Sequence, residues 1–411
     1  MDDSIYRLRS HDILTLVVVA LLGIGVIMVQ SASESVTGSL GFTLTDLGQK
    51  QLMFAGIGLF VFTLFRSIDY ARLLPRYKSI WLAPSVWLIV IAVVVCVMVL
   101  IPGVGFEKNG ARRWLKFGPV QLQPSELAKW ACVIFLAWWL TQRPIDLSKF
   151  RNFLLTLVPV ALLCLLVVIQ DFGTAALIAV VALSILLVGR IKLWHLGVVV
   201  PPAIAVACWF VMHKEYRWKR MTAFLDPYAA PQGDGYHMIQ SLLSFATGGL
   251  SGTGIGGGIQ KLGYLPEDTT DFVFATLSEE TGFFGAVMVI ALYVIILAIA
   301  WQTMKKPRDS FGRLLAFGIA AMVCTQAAIN IAVATVSVPT KGLSLPLISS
   351  GGSGLVITCA ALGLLASILR HEHPEESIDT TPAPTPTHKP TRRARKQRTV
   401  DDKLWSQWTT G

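Results

Sequence analysis

Long apolar runs separated by short polar connections dominate the chain. A membrane-crossing helix needs about 20 mostly apolar residues, and about ten runs approach that length. They are Ile13 to Gln30, Leu52 to Phe65, Ile80 to Ile101, Leu127 to Thr141, Phe153 to Ile169, Ala175 to Val188, Leu193 to Met212, Phe283 to Trp301, Leu314 to Val336 and Leu355 to Leu369. The pattern predicts an all-α polytopic membrane protein, with a large extracytoplasmic loop between spans 7 and 8. The first run follows Arg7 and Arg9 and precedes no small-residue cleavage site, so it reads as a retained span. Residues 1–12 form a short N-terminal segment, 13–370 the membrane domain and 371–411 a tail.

Composition agrees: 54% of the 411 residues are hydrophobic and 15% charged, which excludes a soluble domain of this length. Each of Cys96, Cys132, Cys164, Cys208, Cys324 and Cys359 falls inside an apolar run and reads as a small buried hydrophobe. No internal repeat of the kind that builds solenoids is visible.

Lys and Arg in the short loops set the expected orientation. With the N-terminus inside, the inner loops carry Arg66, Arg72, Arg76 and Lys78, then Arg143, Lys149 and Arg151, then Arg190 and Lys192, then Lys305, Lys306 and Arg308. Both termini are then cytoplasmic. Two outer connections break the bias, one with Lys108, Arg112, Arg113 and Lys116, the other with Lys214, Arg217, Lys219 and Arg220. Each such side chain can snorkel to lipid phosphates. Two clusters flanking one acidic motif favour a shared anionic ligand, and a lipid-linked diphosphate suits guanidinium forks and a lysine.

That motif runs from Tyr264 to Gly285 and places Asp271 between a Gly-rich loop and a long apolar stretch. A carboxylate at the edge of a bilayer is costly to ionise and is read first as a functional group. In the segment Gln123–Lys129, Pro124 fits a first helical turn and Glu126 and Lys129 share a face; they either neutralise each other or offer Lys129 to a phosphate. Asp171, between two apolar runs, reads as a helix cap. The glycines from Gly252 to Gly258 contain a G-x-G-x-x-G match but no flanking βαβ unit, so nucleotide binding is rejected. They are expected to let the backbone fold closely over a cavity or ligand. The hydroxyl-rich stretch Pro339–Gly354 is expected to be non-helical and to line the same cavity as Asp271. The tail, with its basic run and terminal aromatic residues, is expected to be disordered, the basic run resting on anionic headgroups and the end serving as an interfacial anchor or docking peptide.

Four segments, Gln123–Lys129, Phe224–Ser241, Tyr264–Gly285 and Pro339–Gly354, together resemble the SEDS family (shape, elongation, division and sporulation). Thr340-Lys341-Gly342 is similar to the division branch rather than the rod-elongation branch. The resemblance implies a ten-helix inner-membrane peptidoglycan glycosyltransferase that polymerises lipid II and works with a class B penicillin-binding protein, alongside other division proteins at the septum. It places the family's essential aspartate at Asp271, its paired glutamate and lysine at Glu126 and Lys129, and its outer-loop arginine at Arg113. Glu267, Thr270 and Lys341 complete the candidate substrate-binding set. The chain departs from the family at Ile169–Gly173, which lacks a proline, at Ser350, where tyrosine is usual, and at Gly354, where serine is usual.

The chemistry needs a base for a sugar hydroxyl, positive charge for a leaving diphosphate and a cleft open to lipid. Asp271 is the expected base, deprotonating the acceptor GlcNAc hydroxyl as the donor MurNAc centre inverts. Arg113 and Lys129, then Lys341, are the expected cations. No metal-ligand cluster is visible; magnesium or manganese bridging the phosphates is the only cofactor expected, and no nucleic acid is. Two other readings stay open: a flippase for the lipid-linked precursor, which needs an acid reachable from both sides, and a noncatalytic division scaffold that works through its tail.

Overall fold

A computed structural model describes residues 9–37, 45–73, 83–108, 111–117, 120–142, 146–213, 215–233, 235–305 and 309–372. The tail from residue 373 onward, with the disorder, the headgroup contact and the anchoring or docking end expected of it, lies outside the described residues.

Each predicted apolar run forms the body of a helix: α1 (Ser10–Thr37), α2 (Asp46–Ser67), α3 (Pro84–Leu100), α4 (Pro124–Gln142), α5 (Phe150–Val168), α6 (Phe172–Val188), α7 (Leu193–Met212), α10 (Val273–Lys305), α11 (Ser310–Ala334) and α12 (Ser353–Glu372). Seven of these are long and apolar enough to cross a membrane, and α3 and α6 are shorter apolar helices. Local chemistry starts them where expected. Pro84 occupies the first turn of α3, where its missing N–H costs nothing. Thr45 and Asp309 accept the amides of Gly48 and Gly312 to cap α2 and α11.

Two shorter helices, α8 (Glu215–Leu225) and α9 (Tyr236–Gly248), lie in the connection between α7 and α10. The connection between α3 and α4 forms an antiparallel sheet in the order β1 (Gly105–Lys108), β2 (Ala111–Phe117), β3 (Val120–Leu122), with Leu115 opposite Gly105 on one side and Leu122 on the other. The all-helical reading did not foresee this sheet.

The core lies around α11 and α12, whose apolar windows are 67% buried, whereas that of α7 is 6% buried. Such a difference makes α7 a peripheral helix. Helix α2 packs on α12, α10 on α9 and α11, and α3 on α4.

Helix α10 is broken. Gly282 has φ 68° and ψ −166°, so a short piece from Val273 and a long piece from Phe283 meet at a residue outside helical space. The predicted span from Phe283 is the long piece alone. A methyl group on Gly282 would lie 2.4 Å from the amide nitrogen of Gly252, so the break is filled by backbone of the glycine-rich loop. That loop therefore folds closely onto α10 itself, where Gly252 meets Gly282.

Candidate functional site

Asp271 stands immediately before α10 in a segment bonded to the non-helical stretch ahead of α12. Asn330 of α11 donates one amide hydrogen bond to the Asp271 carbonyl (2.8 Å) and another to that of Leu343 (2.7 Å). Ser349 Oγ donates to the Thr270 carbonyl (2.6 Å), and the Ser350 amide to that of Thr269 (2.9 Å). These bonds tie the non-helical stretch Pro339–Gly354 to the segment that carries Asp271. They satisfy backbone groups that would otherwise be orphaned in a non-helical segment.

Positive charge reaches this place from three elements. A methyl group on Gly342 would lie 3.4 Å from Asp271 Oδ2 and 3.6 Å from Arg113 Nη1. The carboxylate and the guanidinium from β2 thus lie beside the same residue. Arg113 Nη1 lies 3.9 Å from Asp171 Oδ2, and Arg113 Nε is buried with no hydrogen-bond partner. Asp171 caps α6, accepting from the Thr174 amide (3.0 Å) and hydroxyl (2.9 Å), as the sequence suggested. Lys341 Nζ sits 5.3 Å from the Phe172 ring centroid and Arg217 Cζ 5.8 Å from it. Arg217 of α8 also donates to the carbonyls of Val168 and Phe210, and Arg220 to that of Thr340. Arg113 of the first basic cluster and Arg217 and Arg220 of the second therefore converge here.

Burial pushes the Asp271 carboxyl up to about 7; Glu267 adds to the rise, Arg220 opposes it, Asp171 raises it further and Arg113 lowers it. Asp268 is raised to about 6, again chiefly by burial. Burial lowers the Lys341 ammonium, against the pull of Asp171.

Glu267 and Thr270 form one turn with Asp271: Thr270 Oγ1 donates to Glu267 Oε2 at 2.7 Å. Glu126 and Lys129 lie apart from this cluster. Lys129 has no exposed surface; its ammonium is 2.8 Å from Glu126 Oε1 and 2.6 Å from Gln326 Oε1. Gln326 in turn donates to the Ser344 carbonyl at 2.8 Å. The pair therefore neutralises itself and braces the stretch that carries Lys341 and Gly342. Beside it a small pocket is lined by Glu126, Gln326, Ser344, Gly354 and Thr358 among others. A second is lined by Arg113, Ser125, Gln170 and Asp171 together with Cys96, Val99, Leu166 and Val167.

Sequence reasoning passed over Gln326 and Asn330. Their signal was present: two amides four residues apart, hence on one face of an otherwise apolar helix. It also passed over Lys261, Glu279 and Glu280. Lys261 Nζ contacts Glu280 Oε1 (2.6 Å) and Ser31 Oγ (2.7 Å), while Glu279 accepts the amides of Ile259 and Gln260. These buried contacts hang the loop leading to Asp271 from α1 and α10. Among the described residues no group of three His, Cys, Asp or Glu side chains is placed to hold a metal ion.

The fold and site define a multi-pass helical membrane protein with a partly buried carboxylate among converging cations. The family model of the FtsW, RodA and SpoVE cell cycle proteins matches residues 12–374, and the chain belongs to that family. It is 37% identical over 358 residues to a probable peptidoglycan glycosyltransferase FtsW of Nitrosococcus halophilus, covering 85% of this chain and 89% of that one. It is 34% identical over 365 residues to the stage V sporulation protein E of Bacillus subtilis, covering 88% and 98%. Among solved structures, a chain from a peptidoglycan synthase complex that coordinates polymerization and crosslinking aligns with TM-score 0.68 and 30% identity, over 88% of this chain and 97% of that one. Thermus thermophilus RodA, a rod shape determining protein, aligns with TM-score 0.63 and 26% identity, over 88% and 97%.

Proposed function

We propose that this chain, a peptidoglycan glycosyltransferase, polymerises lipid II into β-1,4 glycan at the outer face of the inner membrane, for the septal wall of dividing cells. The observation that carries the reading is that the Asp271 carboxylate and the Arg113 guanidinium lie beside the same residue, Gly342. A half-buried base and a cation that meet beside one residue fit a reaction that removes a proton at one atom and expels a diphosphate at another.

In this reading Asp271 takes the proton of the acceptor GlcNAc hydroxyl. That oxygen attacks the anomeric carbon of the donor MurNAc, the bond to the lipid diphosphate breaks, and the centre inverts. A carboxyl held near neutrality is a better proton acceptor than an ordinary one, and such catalysis contributes about a hundredfold or more. Arg113, Arg220 and Lys341 stabilise the departing charge, in a site with little water to screen them. Glu267 and Thr270 rim the same place. Lys129 acts indirectly, because Glu126 and Gln326 already hold it, and its work is to fix the stretch bearing Lys341. Magnesium or manganese would add charge neutralisation on the diphosphate; the described residues form no self-contained site for it, and no step here depends on it.

A class B penicillin-binding protein would supply the crosslinking partner, in keeping with the synthase complex to which the chain is similar. Both termini then face the cytoplasm.

The test is glycan-ladder formation from purified lipid II by the complex with its cognate transpeptidase, in the presence of moenomycin, which silences the other class of glycan polymerase. A ladder from wild type that disappears in Asp271→Asn supports the reading. No ladder from a folded complex that binds lipid II turns the assignment toward a flippase or a scaffold.

A further inference from the structure

Glu267 is one of few non-glycine residues in left-handed backbone, with φ 56°. A side chain makes that region unfavourable, and strain of this kind persists where the surroundings enforce it and clusters at functional sites. Here the enforcement is visible. The Glu267 carbonyl accepts the amides of Thr270 (3.1 Å) and Phe272 (3.2 Å), and its carboxylate accepts the Thr270 hydroxyl at 2.7 Å. The chain is thus coiled around Glu267 so that this exposed carboxylate keeps a fixed bearing on the half-buried Asp271. An acid that merely touched substrate at the rim would require neither the strained turn nor the hydroxyl that anchors it.

We infer that Glu267 is a positioning residue for glycosyl transfer: anchored by Thr270, its negative charge favours movement of the acceptor's proton onto Asp271. The inference rests on Asp271 being the base. The groups facing Asp271 make the need plain. Arg220 from α8 and Arg113 from β2 favour its ionised form, whereas Glu267 from its own turn and Asp171 from the start of α6 oppose it. Lys341, from the stretch before α12, is drawn to Asp171 and lies over Phe172. With Glu267 neutralised, burial and Asp171 would still raise the Asp271 carboxyl, but the two arginines would meet less opposition and the carboxylate would be a weaker proton acceptor. When a diphosphate engages the arginines their pull is diverted, and the charge of Glu267 then acts on Asp271 with little opposition.

The test compares wild type, Glu267→Gln, Glu267→Asp and Thr270→Val in the complex with the transpeptidase, using lipid II as substrate. For Glu267→Gln the acid limb of the kcat/KM profile should move down by roughly 0.5 to 1 pH unit. Its kcat should fall roughly two- to threefold with KM nearly unchanged. Glu267→Asp should restore part of the limb, and Thr270→Val should move it in the same direction by less. A raised KM with the limb in place would make Glu267 a substrate contact and overturn the inference, as would a profile identical to wild type. A second measurement holds even if Glu267→Gln is inactive: infrared titration of the protonated-carboxyl stretch that is missing in Asp271→Asn. Its midpoint should fall in Glu267→Gln; an unmoved midpoint refutes the role of Glu267 alone. Normal synthesis by Asp271→Asn instead removes the reading of Asp271 as base.

Discussion

Asn330 holds Asp271 by its backbone, with Nδ2 donating to the Asp271 carbonyl at 2.8 Å while the same nitrogen reaches Leu343 at 2.7 Å. One amide on α11 thereby fixes the relative position of the acid and the stretch that brings Lys341 and Gly342. Asn330→Leu keeps the volume and removes both bonds, leaving two carbonyls unsatisfied at about 1–3 kcal/mol each. Glycan synthesis should fall at least as sharply as thermal stability in detergent; full activity would show that the fork is dispensable.

Gly342→Ala isolates the approach of Asp271 and Arg113 from folding. The added methyl group meets only ordinary van der Waals distances, 3.4 and 3.6 Å, so the protein should fold and melt like wild type. Added beside base and cation it should crowd the substrate and cut ladder formation by roughly tenfold or more, because small misplacements at a reacting centre are costly. Lipid II turnover with unchanged melting is the measurement.

The pH dependence of stability follows from Asp271. Its carboxyl is raised from 3.8 to about 7 in the folded state, so the native protein holds this proton after the unfolded chain has lost it. Ionisation therefore costs stability progressively between those values, and the cost is complete and constant above the upper one. Asp271→Asn removes the cost. The melting temperatures of variant and wild type should be close at about pH 4 and diverge up to about pH 7, the variant being the more stable. An equal offset at every pH would contradict this.

Lys129→Met leaves the Glu126 carboxylate buried without its partner, which should destabilise by about 3–5 kcal/mol. Adding Glu126→Gln removes the stranded charge and should recover most of that loss. If Lys129 instead served a phosphate directly, the double variant would regain stability without activity; as a brace it should regain part of both, read by melting and ladder assays together.

The helical bundle was legible because a membrane span announces itself in length and polarity. The break in α10 was not. Its first piece carries Ser278, Glu279, Glu280 and Thr281, so the apolar run begins only at Phe283; those acids are buried because Lys261, Ser31 and two loop amides satisfy them, partners far away in the chain. The sheet before α4 had a local signal, the Asn109-Gly110 pair between two strand-like stretches, but the surrounding charges drew attention to ligands instead. Asp271, Arg113 and Lys341 were named from the chain alone. What one dimension hid was that Arg113 and Arg220, more than a hundred residues apart, meet beside the same carboxylate, and that Lys129 faces inward.

The glycine break in α10 also bears on how the protein lives in membranes of unequal thickness. A long apolar helix adapts to a thicker or thinner bilayer by tilting. Here the lever that would tilt begins at Phe283, whereas Asp271 is mounted on the short piece before Gly282 and tied to Asn330 and Ser349. The break thus lets the segment carrying Asp271 take its bearing from Asn330, Ser349 and the glycine-rich loop rather than from the axis of the long apolar piece.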